Sequence, residues 1–132
     1  MADPVVFDFP LTDGMDPEVQ DDVVADLTNG HLQAGLFKMG LFDSAGHLIS
    51  EPLPPHDRDT GRSNIVRKLG YPGVQLKGCS LKVFGTVIAP RPEKGQNYAV
   101  TLKVSQGSNH VQQVSNGVFD EVAAVRFKVN FL

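Results

Sequence analysis

The densest polar chemistry in this 132-residue chain lies between His56 and Arg62, in the run His-Asp-Arg-Asp-Thr-Gly-Arg. Arg58 and Arg62 stand four apart, with Asp57 and Asp59 close by and Ser63 and Asn64 following. Guanidinium forks, carboxylates and hydroxyls are the groups that hold anions and other polar ligands. His56, Asp57, Arg58, Asp59 and Arg62 are therefore the candidate ligand-binding residues, carried on a long polar loop over 52–64. Such loops on rigid β scaffolds often carry binding. Ring stacking for a sugar would fall to Tyr71, Tyr98 or a Phe, because the chain has no Trp. Asp57-x-Asp59-x-Gly61 resembles part of a calcium loop. The full pattern needs another oxygen ligand before the glycine and a glutamate at its twelfth position, where Lys68 stands.

Asp59-Thr60-Gly61 also matches the triplet that carries the catalytic aspartate of aspartic proteases. In those enzymes two aspartates share a proton, held by apolar strand residues just upstream. Here the upstream residues are His56, Asp57 and Arg58, which belong in solvent, so the triplet reads as a chance match. His31, His47, His56 and His110 are scattered, with no pair at metal-ligand spacing. Cys79 is the only cysteine, which excludes an internal disulfide and a multi-cysteine metal site. Its neighbours alternate as in a strand, which predicts a buried, inert thiol. No nucleophile elbow, phosphate loop or dinucleotide fingerprint occurs. The expectation is a non-enzymatic protein with no metal and no cofactor.

Charge gives a second signal. Residues 1–64 hold 12 acidic and 3 basic side chains, a balance of −9, whereas residues 65–132 hold 3 and 9, a balance of +6. A net charge of −3 thus hides a strong dipole along the chain. Opposed surface fields steer encounter and fix register, so the split bears on association. Nucleic acid is not an expected partner: the chain is acidic overall, and Arg126–Lys128 is too thin a basic patch. No apolar run approaches the roughly 20 residues that span a bilayer, and Met-Ala-Asp-Pro does not open a signal peptide. A location in the cytoplasm or in a virion is expected, away from membranes.

The elements that must position these groups are mostly strands. Val5, Phe7 and Phe9 alternate with Val6 and Asp8, and Pro10 ends the run. Residues 16–28 read two ways. Asp16-Pro17-Glu18 would start a short helix with Val19, Val23, Val24 and Leu27 on one face. Alternatively 22–28 is a strand, and Asn29-Gly30 turns it as a hairpin into 31–42. Leu32, Ala34 and Leu36 then alternate before Phe37, Met39 and Leu41 take over, a phase change that predicts a bulge near Leu36-Phe37. Asp43–Gly46 reads as a hairpin loop. Leu81, Val83 and Val87, with Phe84 and Ile88 opposite, predict a strand buried on both faces. Tyr98 to Val104 and Val125 to Phe131 alternate cleanly.

About seven to nine strands at this spacing predict one mainly β domain over 1–132. The fold class is an antiparallel β-sandwich (jelly-roll or Ig-like) or a partly open barrel, with a possible short helix near 16–28 and a possible acidic N-terminal arm over 1–30. A structural or assembly subunit is the expected role, partnering itself as a homo-oligomer or another structural protein, such as a virion capsid, decoration or tail component. The charge split suits an acidic arm docking on a basic sheet face. The last strand, followed only by Leu132, suits donation to a neighbour. The alternative is a soluble lectin-like or anion-binding module that works through the 52–64 loop.

Overall fold

Period-two alternation of apolar and polar side chains builds nearly every element of the chain, and the two faces it creates decide where each strand sits. The computed structural model describes residues 4–11, 23–29, 34–54, 65–71, 73–89 and 95–132. Among these, the strands are β1 (Val5–Phe9), β2 (Val23–Asn29), β3 (Ala34–Phe42), β4 (Leu48–Leu53), β5 (Ile65–Lys68), β6 (Ser80–Ile88), β7 (Gln96–Gln106), β8 (Asn109–Phe119) and β9 (Val122–Phe131). A short 3-10 turn spans Gly73–Leu76. The strands form a five-stranded sheet in the order β1-β9-β6-β3-β4 and a four-stranded sheet in the order β5-β2-β7-β8. The sheets stack as a sandwich and do not close into a barrel. The pairing is antiparallel except between β1 and β9, which run parallel.

The core lies between the two inner faces. From the five-stranded sheet come Phe37, Met39, Leu41, Leu81, Val83, Val125, Phe127, Val129 and Phe131; from the four-stranded sheet come Val23, Ala25, Leu27, Val100, Leu102 and Val104, all buried. Edge-to-face contacts fix the larger rings, with Phe9 and Phe131 at 6.1 Å between centroids and Tyr98 and Phe119 at 5.5 Å. Such pairs add to area burial because the positive ring edge meets the negative face.

Four local expectations are corrected. Val23–Asn29 is a strand, not the end of a helix; residues 12–22 lie outside the described set. Val23 and Leu27, four apart, satisfy both a helical and a strand period. Ala25, also buried, satisfies only the period of two. Nor does β2 form a hairpin with β3, since β2 pairs with β5 and β7 and β3 lies in the other sheet. No bulge interrupts β3 against β6: the register from Ala34↔Ile88 to Phe42↔Ser80 is unbroken, and Leu36 simply points outward at 52% exposure. The irregularity in β3 falls on its other side, between Met39 and Phe42 against β4. Finally, the C-terminal strand is no free edge. β9 pairs with β6 from Val122 to Asn130 and with β1 from Phe127 to Phe131, so its last residues lie inside the sheet, and Leu132 N donates to Phe9 O at 3.1 Å.

Candidate functional site

The residues singled out for ligand binding, His56, Asp57, Arg58, Asp59 and Arg62, lie outside the described residues. So do Thr60 and Gly61 of the protease-like triplet, and His31. Of the other histidines, His47 is exposed in the β3–β4 loop and His110 is exposed on β8 in the other sheet. Among the described residues no three His, Cys, Asp or Glu side chains gather as a metal site, and no helix is long and apolar enough to cross a membrane. Cys79 is buried beside the 3-10 turn, as its surroundings predict, and its Sγ donates to Gln75 O at 3.7 Å. Burial, and then the charge of Asp43, push its pKa up. A neutral thiol is a poor nucleophile.

Two surface features stand out instead. The first is an edge. A sandwich of two open sheets exposes four edge strands, here β1, β4, β5 and β8. Exposed edges invite pairing with other chains unless they are short, charged, broken by proline or bulged. Three of the four carry such devices. β1 has 5 residues between Pro4 and Pro10 and presents Asp8; β5 has 4 and presents Arg67 and Lys68. β4 contains Glu51 and Pro52 and pairs irregularly with β3. β8 differs. It runs 11 residues, Asn-His-Val-Gln-Gln-Val-Ser-Asn-Gly-Val-Phe, without Asp, Glu, Lys, Arg or Pro. It pairs with β7 in unbroken register from Asn109↔Gln106 to Phe119↔Gln96. Its far edge has no strand partner among the described residues. Val114 and Val118 on it are 42% and 69% exposed.

The second feature is the outer face of β3, β6 and β9. Registers place Lys38, Phe84 and Arg126 side by side in one row, and Gly40, Lys82 and Lys128 in the next. Lys38 and Arg126 both lie over the Phe84 ring, at 5.4 and 5.1 Å from its centroid, and Lys82 lies over Phe42 at 4.6 Å. β6 therefore does not bury its second face under protein, as its apolar run predicts. Cationic stems cover Phe84 instead, while Ile88 stays 37% exposed. The same residues line an open groove of about 680 Å³, bounded on its β4 side by Leu48 and Glu51. None of the four cations forms an ion pair among the described residues. Lys82 and Lys128 face each other directly across the β6–β9 ladder, a like-charge placement that destabilises a sheet. The Nε of Arg126 is buried and donates to no acceptor among the described residues. An unmet buried donor costs about 1–3 kcal/mol, more when charged.

Sequence reasoning passed over this face because it depends on strand order. Arg126 and Lys128 alone form a thin patch. Only the neighbouring positions of β9, β6 and β3 add Lys82 and Lys38 to them.

Comparison with known proteins adds little. No protein-family model matches the sequence, and none of the curated proteins compared with it matches either. Among solved structures, a DUF4425 family protein from Bacteroides ovatus ATCC 8483 is similar at 10% identity and a TM-score of 0.45, over 84% of this chain and 95% of that one. A likeness at that level carries no argument about the role of this chain.

Proposed function

We propose that this chain is a non-enzymatic structural subunit that associates with copies of itself, and that the free edge of β8 is the contact. The observation that carries this reading is the contrast among the four edges: among the described residues, β8 alone has neither the shortness, charge, proline nor bulge that discourages pairing. Its sequence also suits self-pairing. An antiparallel ladder centred on Val114 sets Val114 against its own copy, with Gln112 opposite Asn116 and His110 opposite Val118. No like-charged pair arises, and each strand supplies the N–H and C=O groups that the other lacks. The two four-stranded sheets then continue as one sheet across a two-fold axis, an isologous contact of the commonest kind. The opposed acidic and basic balances of the chain supply steering between such units.

Sedimentation velocity of the full chain over a concentration series tests the reading. The native protein is expected to form dimers or larger species. Val114→Lys is expected to shift it to monomer and weaken association by at least about tenfold, because two Lys then meet across the axis. Val114 is half-exposed, so the variant keeps its fold, which circular dichroism checks. A native protein that stays monomeric at high concentration overturns the proposal, as does a Val114→Lys variant that associates as tightly as the native chain.

A further inference from the structure

The groove on the outer face of β3, β6 and β9 has no part in pairing through β8, which lies in the other sheet. Four cations occupy it: Lys38 and Arg126 in one row, Lys82 and Lys128 in the next. Strand geometry gathers them into a patch roughly 10 Å across the strands and 7 Å along them. Packing over Phe84 and Phe42 accounts for Lys38, Arg126 and Lys82, but folding gives no reason to set Lys82 against Lys128. A stability-driven sheet would set carboxylates opposite these lysines, whereas Lys82 faces Lys128. Among the described residues that line the groove the one acid is Glu51, on β4. The buried Nε of Arg126 has no acceptor among the described residues, and the guanidinium that carries it offers an oxyanion its remaining N–H donors.

We propose that this face is a binding site for a small molecule bearing two or more phosphate groups. Arg126 engages one phosphate through its guanidinium edge, and Lys38, Lys82 and Lys128 neutralise the others. The rings point away from a nucleic-acid reading. Protein that binds single strands leaves aromatic faces free for bases to stack on, yet Lys38 and Arg126 already lie over Phe84 and Lys82 over Phe42. Their role here is to hold the cationic stems upright, which orders the charges before a ligand arrives. The patch is also short for a polymer and suits a compact, multiply charged ligand in a groove of about 680 Å³.

Isothermal titration calorimetry of the full chain with inorganic tripolyphosphate tests the site, with a single-stranded oligonucleotide titrated in parallel. Saturable binding to tripolyphosphate is expected, falling steeply with added salt. Arg126→Lys keeps the charge but removes the guanidinium fork, and is expected to weaken binding by at least about tenfold. Lys128→Ala weakens it as well, while Lys103→Ala, in the other sheet, leaves it unchanged. Should an Arg126 variant fail to fold, Lys38→Ala and Lys82→Ala, both at exposed positions, carry the same test. The proposal is overturned by absence of saturable binding, by equal loss in Lys103→Ala, or by tighter binding of the oligonucleotide. Because groove and β8 edge lie in different sheets, Val114→Lys leaves tripolyphosphate affinity within about twofold, so this proposal and the assembly reading fail separately.

Discussion

The buried ring of Phe37 on β3 occupies the space that a side chain at Gly85 on β6 would fill. The two are register partners, and a Cβ at Gly85 would lie 2.7 Å from Cε1 of Phe37 and 2.8 Å from the Leu36 carbonyl oxygen. Gly35, on the other side of the ring, is equally close: a Cβ there would lie 2.8 Å from Cζ of Phe37. Two glycines thus form a slot that seats one aromatic ring beneath the basic face. Without that slot, the central pair of strands could not keep both Phe37 inside and the ladder unbroken.

The slot gives the first prediction. Gly85→Ala forces either the ring or the β3 backbone to move, and overpacking of this kind costs about 1–3 kcal/mol. Phe37→Ala, which empties the slot, costs about 3–5 kcal/mol. The double variant should lose less than the sum of the two singles, because removal of the ring relieves the clash. Urea unfolding of the three proteins measures all of these terms. Full additivity would mean that the ring does not occupy the space above Gly85.

Lys128→Gln should stabilise the free protein. Lys82 and Lys128 repel across the ladder, and relief of a directly opposed like-charge pair is worth roughly 0.2–1 kcal/mol. The gain should shrink as salt is added, because these side chains border solvent. Thermal melts of both proteins at low and high salt give the comparison. A loss of stability at low salt would show that Lys128 has a stabilising partner that outweighs the repulsion.

Asp43 closes the β3–β4 hairpin through one carboxylate oxygen. Oδ1 accepts from Ala45 N at 3.0 Å and from His47 N at 2.8 Å, and Gly46 completes the turn at a φ of 85°. Asp43→Ala leaves both amides to water and should destabilise by about 1 kcal/mol. Asp43→Asn keeps an acceptor oxygen and should recover most of that. Chemical denaturation of the pair tests it, and equal losses in both variants would assign the effect to charge instead of turn geometry.

How much of this was legible in the sequence depended on whether the physical cause was local. Alternation at Tyr98–Val104 and Val125–Phe131, and the turn chemistry of Asp43–Gly46, are properties of neighbouring residues, and each element formed where its pattern predicts. Over Val23–Thr28 the helix option failed because Val23 and Leu27 fit two periods at once, and tertiary pairing to β5 and β7 chose between them. The candidate sites were illegible for a different reason. Whether Val125–Phe131 is an edge or a centre, and whether Lys38 stands near Arg126, are matters of strand order, which no local pattern encodes. Contrast within β8 was present all along, in 11 residues without a formal charge, but its meaning required knowing that β8 stands at an edge.

Cys79 supplies the last prediction, on pH. Its thiol sits just before β6, only 7% exposed, with its pKa raised above the ordinary value of 9.0 by burial first and by Asp43 second. At about pH 8 and below the thiol is almost wholly neutral in both folded and unfolded chains, and its contribution to stability is fully present. As pH rises further, the unfolded chain releases the proton before the folded one does, so stability falls through that window until the folded thiol also ionises. Cys79→Ala removes this dependence while lysines and tyrosines continue to titrate in both proteins. The difference between the two stability profiles therefore isolates the thiol. It should be flat up to about pH 8 and should slope against the native protein above about pH 9. Alkylation by iodoacetamide should likewise be much slower for the folded chain than for the denatured one. A rate at pH 8 equal in both states would mean that Cys79 is reachable and ionised, contrary to its burial.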